Sequence, residues 1–380
     1  MSAFVCILMA AAAPHAYGSG AIGLGPPAVA PARVEPQGAA GYDEPTRYFY
    51  RGLPYGSDAT FHPVRELING AFGIFQVSSK WKTLDQIHWR NGLDITWRSI
   101  PHPFRTTRAY GTRDFLTSEV FPGQFDMNSL QYLPNYHLHM IGGGARNRAF
   151  TEWYRAHGFP HPWIMAMATT VFHSFAVETV EHQAETGPTV DPVADMLFFD
   201  PAGAILFTSD RVSRFFSRTL NMAIWSGQPM YNPVLNTVEN AGENYGLHLF
   251  LNKDDRIGIF MYWGMSDLVG VTVRRVAGLD WSVGLGGMVS ELHEEERGAG
   301  MSALYARIKL DVGGFVHRNN SLLASVHVSQ SWTQRLRASI FPGVVSWHGI
   351  SPGVYVGVRG ADVILGMSVI SIPVGLAASN

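Results

Sequence analysis

The chain has 380 residues, 46% hydrophobic and only 15% charged, with a formal net charge of −2 and a single cysteine. Soluble domains carry roughly 25% charged residues, so a surface facing water on all sides is disfavoured. The lack of a basic block argues against a nucleic-acid footprint, and one cysteine rules out an internal disulfide framework.

The opening, MSAFVCILMAAAAPHAYG, has a short apolar core followed by small residues at Ala13 and Ala16. It reads as a signal peptide over residues 1–16, although it lacks a positive n-region. Cys6 lies inside the apolar run, where a lipid anchor is not expected. Residues 17–45 are rich in Gly, Ala and Pro and read as a flexible linker. The Gly18-x-Gly20-x-x-Gly23 match within them has no strand before it and two prolines after it, so it is linker glycine, not a dinucleotide loop.

Residues 46–133 are mixed. In GLDITWRSI, Leu93, Ile95 and Trp97 alternate with Asp94, Thr96 and Arg98, which predicts a strand. DFLTSEVFPGQF reads as a strand running into a loop. From 136 to 224 the period becomes helical. NRAFTEWYRAHG ends at Gly158, a good helix stop. A longer helix over PHPWIMAMATTVFHSFAVETVEHQAETG closes at Gly187-Pro188. Asp191-Pro192 then supplies a cap and a first-turn proline, and Ser209 is placed to cap the next helix. No stretch offers about 20 uninterrupted apolar residues, so no ordinary transmembrane helix is expected.

From about Tyr245 the period becomes two. Val269, Val271 and Val273 alternate with Gly270, Thr272 and Arg274; Val326 and Val328 alternate with Ser325, His327 and Ser329; Val354, Val356 and Val358 alternate with Tyr355, Gly357 and Arg359. A soluble antiparallel sandwich would bury the apolar face, whereas an outer-membrane β-barrel would turn it toward lipid. The other face is rich in Gly and Ser. The runs have the length of tilted spanning strands, and Trp263, Trp281, Trp332 and Trp347 fall near their ends, as in an interfacial girdle. The expected fold is therefore an antiparallel outer-membrane-type β-barrel over residues 46–380, closed by N-terminal strands. A helical insert at 136–224 would lie in its lumen or cap it. A soluble sandwich plus helices is the alternative. The chain ends in GLAASN, without the terminal aromatic common in bacterial barrels.

The polar residues concentrate in the helices. Ser174, Glu178, Glu181 and His182 share one face of the long helix by i, i+3 and i+4 spacing. A carboxylate four residues from a histidine suits a metal or an oriented base, and equally a satisfied structural network. Asp191 is explained as a cap and Asp200 as the start of a break, but Asp195 has no such explanation. Glu178, His182 and Asp195 are thus the catalytic candidates, and His137, His139 and Glu181 the ligand-binding candidates. His137 and His139 share a face only if their segment is extended; in a helix they diverge by ~200°. The triple glycine after them suits a close turn. The structural network is the favoured reading, with no metal and no cofactor. HEEERG, His293–Gly298, reads as a solvated loop. There is no G-x-S-x-G, H-E-x-x-H, P-loop or C-x-x-C.

With NYHLHMIGGG, EWYRAHG, AVETVEH and DPVADMLFFDPAGAILF in view, the chain resembles a group of uncharacterised bacterial envelope proteins known only as a domain of unknown function. Its members share a histidine-containing segment, an acidic E-x-x-E-type helix and an Asp-containing stretch leading into a small-residue helix. The resemblance covers roughly residues 45–245. It implies an outer-membrane or periplasmic location and carries no reaction or ligand. The expected function is an outer-membrane protein with a structural, plug or transport role, in contact with outer-membrane lipid. A membrane-embedded lipid hydrolase or transferase and a soluble periplasmic binding protein are the alternatives.

Overall fold

The structure is a computed structural model that describes residues 46–380 apart from 78–82, 122–133, 185–186, 188, 253, 255, 276–277, 298–300, 347 and 349. The leader, the linker and Trp347 lie outside the described residues.

Helices fill the chain from Gly56 to Thr219, not only 136–224. The principal ones are α1 (Pro63–Gly73), α2 (Trp89–Ser99), α3 (Gly144–Ala156), α4 (Pro162–Glu181) and α5 (Asp200–Thr208). The two strands expected before residue 133 are absent. GLDITWRS lies within α2, with Ile100 as its C-cap, and DFLTSEV falls in a helical turn over Thr112–Phe115 followed by a π-turn over Leu116–Val120. The reason for α2 is visible in what it buries. Gly92, Ile95, Thr96 and Ser99 form its packed face, at helical spacing, while Leu93 and Trp97 are exposed. Small residues, not the alternating apolar ones, decide the contact. A Cβ on Gly92 would stand 1.9 Å from the Thr179 carbonyl oxygen of α4, so only glycine permits that approach.

The strands follow: β1 (Ala223–Ile224), β2 (Met230–Asn232), β3 (Thr237–Glu239), β4 (Tyr245–Leu249), β5 (Ile257–Trp263), β6 (Ser266–Arg274), β7 (Leu279–Arg297), β8 (Met301–Arg318), β9 (Ser321–Ser329), β10 (Leu336–Ile340), β11 (Gly353–Arg359), β12 (Asp362–Ser368) and β13 (Gly375–Ser379). Among the described residues they form one 13-stranded sheet in the order β1-β4-β5-β6-β7-β8-β9-β10-β11-β12-β13-β2-β3. From β4 to β13 each strand pairs antiparallel with the next, while β13 and β2 are parallel, with Gly375 opposite Met230. The fold is thus α+β with a large mixed sheet. The expected closed barrel is not formed by the ladder, because β1 and β3 are its two ends and do not pair with each other. Among the described residues no strand before Ala223 takes part. One short segment nevertheless serves both flanks of the meander: β1 pairs with β4, and β2, after only residues 225–229, pairs with β13.

The alternation expected in this region is present, and its sense is inverted relative to a soluble protein. Ile259, Val271, Leu285, Val328, Leu365 and Leu376 are exposed, whereas Thr272, Ser282, Asp311, His327 and Tyr355 on the opposite face are buried. Period-two chains place successive side chains on opposite faces, so one face of the sheet is apolar and open. The other is covered. Trp225 packs there with Phe260, Tyr262 and Phe315, and Met230 packs with Tyr355, Ile364 and Ala377. Gln76, just past α1, lines a small cavity on this face with Trp225, Tyr262, His327 and Arg337. Asp311 accepts a 2.6 Å bond from Ser266 and lies 2.9 Å from His327 Nδ1. Trp281 and Trp332 are exposed, as a girdle requires, but Trp263 is buried against Tyr245. HEEER belongs to β7 and is strand, not loop.

The helices show the same inversion. Trp163, Phe172, Phe198 and Ile205 are exposed, while Glu66, Arg146, Glu152, His173, Glu178 and Asp200 are buried.

Candidate functional site

The buried polar residues of the helices form two connected groups. The first is built where α4 ends. Ser174, Glu178 and His182 follow one another at four-residue steps, which stacks them on one face. All three are buried, and Glu181, one residue off that line, is half-buried. His182 Nε2 lies 2.9 Å from Glu178 Oε2 and 3.4 Å from Asp191 Oδ2. Asp191 opens the short helix Asp191–Ala194 with Pro192 in its first turn. The cap expected at Asp191 is shifted by one residue: Val190 holds the N-cap position, no side chain caps the helix, and Asp191 is its first residue, with its carboxylate turned to His182.

The second group lies around His139. Residues Asn135–Gly143 are π-helical and run without a break into α3. His137 and His139 accordingly diverge. His137 approaches Asp267 at 3.5 Å, beside β6. His139 sits between two acids, with Nε2 3.2 Å from Asp195 Oδ2 and Nδ1 3.4 Å from Asp200 Oδ1. Ser174 donates to Asp200 Oδ2 and so joins the groups. The close turn expected at Gly142-Gly143-Gly144 does not occur. The glycines instead admit neighbours against a continuous helix: a Cβ on Gly142 would strike the Tyr245 ring, and one on Gly144 would stand 2.6 Å from Gly203 O of α5.

Burial disfavours a charged His139, but Asp195 and Asp200 outweigh it and hold the ring protonated, well above the ordinary histidine range. Burial pushes Asp195 well above the usual carboxylate range, with His139 opposing and Asp191 and Glu178 adding to it. Burial works against the charge of Asp200 too, yet His139, Arg146 and Ser174 together keep it below the usual range. Burial raises Glu178 against the pull of His182, and burial with Asp191 lifts Glu181 to about 8. These are the opposed environments that separate acid from base within one site.

Beside this lies a further network. Arg146 of α3 bonds Glu243, and His173 Nε2 is 2.7 Å from the same oxygen, Glu243 Oε1. Burial would raise Glu243, but Arg146 and His173 hold it down at about 2. Glu66 of α1 accepts a 2.5 Å bond from Ser226 and is pushed up to about 7 by burial.

The cluster thus unites Glu178, Glu181, His182, His139 and Asp195 and leaves His137 apart. Sequence reasoning missed the parts played by Asp191, Asp200, Arg146, His173 and Glu243. Asp191 and Asp200 had local explanations that hid them, and Glu243 lies between β3 and β4, outside any helical period. Ser174 is not placed as a nucleophile, because its hydroxyl is given to a carboxylate and not to a histidine. The geometry can move protons among acids and imidazoles, or gather ligand atoms around a cation. No protein-family model, curated protein or solved structure matches the chain.

Glu66 gives a pH dependence whose sign follows from its direction. Its folded value, about 7, lies above the ordinary 4.5. The folded chain therefore binds more protons than the unfolded chain between these values, and this contribution to stability is lost as pH rises through that window. Glu66→Gln should flatten the decline in Tm between about pH 5 and 8 relative to wild type. An unchanged slope in the variant would show that Glu66 ionises normally.

Proposed function

We propose that the chain is a bacterial outer-membrane protein. In this reading the sheet curls into a lipid-facing barrel-like wall, the helices cap or fill its inner side, and the role is structural, plugging or transport. The observation that carries this is the inverted alternation. Over the long antiparallel meander the exposed face is Ile, Val, Leu and Met, while the covered face sets Ser, Thr, His and Asp among Phe260, Tyr262, Leu268 and Phe315. Leaving that much apolar surface in water opposes folding at roughly 25 cal/mol per Å², whereas lipid accepts it. A soluble sandwich would cover the same residues with a second sheet, and among the described residues there is one sheet. The pairing of residues 223–232 with both β4 and β13 supports curvature that brings the two flanks close.

Fractionation tests the reading. The protein should remain with outer membranes after a carbonate wash and require detergent for release. Its recovery in a detergent-free periplasmic extract would refute an outer-membrane location.

One observation favours a second reading, a membrane-embedded lipid hydrolase or transferase. The Glu178–His182–Asp195–His139 cluster lies in helices whose outer faces present Phe172, Leu197, Phe198 and Ile205, so apolar acyl chains would meet a compatible surface next to acid and base groups. Release of a fatty acid or transfer of an acyl group from defined phospholipid vesicles, lost in Glu178→Gln, would favour it over the structural role.

A further inference from the structure

We propose that Glu178, His182 and Asp191 hold a divalent transition-metal ion, with Asp195 the adjacent carboxylate from which a further ligand would come. The ligand atoms of the three residues all lie within 4.8 Å of one another. Two carboxylate oxygens converge on a single ring nitrogen, at 2.9 and 3.4 Å from His182 Nε2. One N–H can serve one of these acceptors well. A metal ion can serve both, together with the nitrogen. With metal–ligand bonds of ~2.1 Å, neighbouring ligands in a tetrahedral site stand roughly 3.4 Å apart, and closer in an octahedral one, so the present spacings need little change.

A second observation is independent of the triad. Asp195 is 4% exposed. Its Oδ2 faces His139, while its Oδ1 is buried without a hydrogen-bond partner. Asp195 follows Asp191 by four residues in the continuous helical run Asp191–Phe199, which puts the two carboxylates on one face. A buried carboxylate oxygen left unsatisfied is costly, and a cation beside it removes the cost. Charge count points the same way: among the described residues the five carboxylates Glu178, Glu181, Asp191, Asp195 and Asp200 act on one another, with His139, His182 and, at Asp200, Arg146 as the positive partners. Two carboxylates and one imidazole select ions such as Zn²⁺, Mn²⁺ or Fe²⁺ over the softer Cu⁺. This proposal departs from the expectation of a purely structural, metal-free network. His139, between Asp195 and Asp200, becomes the group that orients the further ligand, Asp195.

The test uses the full chain, expressed without a histidine tag, extracted in detergent, stripped with EDTA and titrated with Zn²⁺ by calorimetry. About one equivalent should bind, Co²⁺ should give visible absorption bands typical of nitrogen and oxygen ligation, and Zn²⁺ should raise Tm. Glu178→Gln and Asp191→Asn should each weaken Zn²⁺ binding by at least ~10-fold. Asp191 has the least buried side chain of the three ligands, so Asp191→Asn carries the comparison if Glu178→Gln fails to fold. Binding far below one equivalent by the folded wild type would overturn the site. So would unchanged affinity in folded Asp191→Asn, or Co²⁺ bound without those bands.

Discussion

Glu152→Ala is expected to lower stability by about 3–5 kcal/mol, among the largest losses any single substitution in this chain would produce. Its carboxylate accepts 2.9 Å bonds from the backbone N–H groups of Tyr48, Phe49 and Tyr50, and Arg148 Nε donates to it at 3.0 Å. This one side chain on α3 thus serves three consecutive backbone donors in the segment before the first helix. Alanine would leave the buried N–H groups of Tyr48 and Phe49 without acceptors, and Arg148 would retain only its exposed partner, Asp210, and weak backbone contacts. Glu152→Gln should cost nearly as much, because its amide NH₂ would face N–H donors where an acceptor is required. Denaturant unfolding in detergent, followed by tryptophan fluorescence, gives the difference. A loss below about 1 kcal/mol for alanine would mean that water reaches these donors.

The same residue shows why part of the fold could be read from sequence and part could not. Period two from Tyr245 onward is a local property of the backbone, and the sheet appears where it predicts. Which face is open could also be inferred, because Ser and Gly opposite Val and Leu, in a charge-poor chain, are hard to reconcile with a watery exterior. In the helices the signal failed wherever packing was made by small residues. Leu93, Ile95 and Trp97 alternate by coincidence, and of the three only Ile95 joins Gly92, Thr96 and Ser99 on the buried face. The triple glycine looked like a turn because a sequence does not show that Tyr245, a hundred residues away, lies against Gly142. The site was half legible for a related reason. Glu178, Glu181 and His182 lie on one helix, so their proximity follows from spacing. Glu243 reaches Arg146 and His173 only through the packing of helices on sheet, and Glu152 reaches Tyr48 across some hundred residues.

The other large effect tests the proposed lipid face directly. Val326→Arg should destabilise the protein by about 2–4 kcal/mol in a bilayer, and Ser325→Arg by clearly less. The two residues are neighbours on β9 and point to opposite sides. Val326 is exposed with Val328, whereas Ser325 lines the inner cavity with His327, Arg337 and Ser339. Their ladder partners on β10, Ala338 and Ser339, are equivalent backbone positions, so strand propensity and hydrogen bonding do not separate them. In water the prediction reverses. An arginine at an exposed valine costs little, since the guanidinium stays hydrated, whereas one forced beside Arg337 meets like charge in a confined space. Facing lipid, the Val326 variant must either strip its charge of water or snorkel to an interface. Unfolding of both variants in phosphatidylcholine bilayers and in mild detergent supplies the comparison. The reading requires Val326→Arg to be the worse of the pair in lipid, with its disadvantage smaller in detergent, where water lies closer. Should Ser325→Arg prove the worse variant in bilayers, the open face of β9 meets something other than acyl chains.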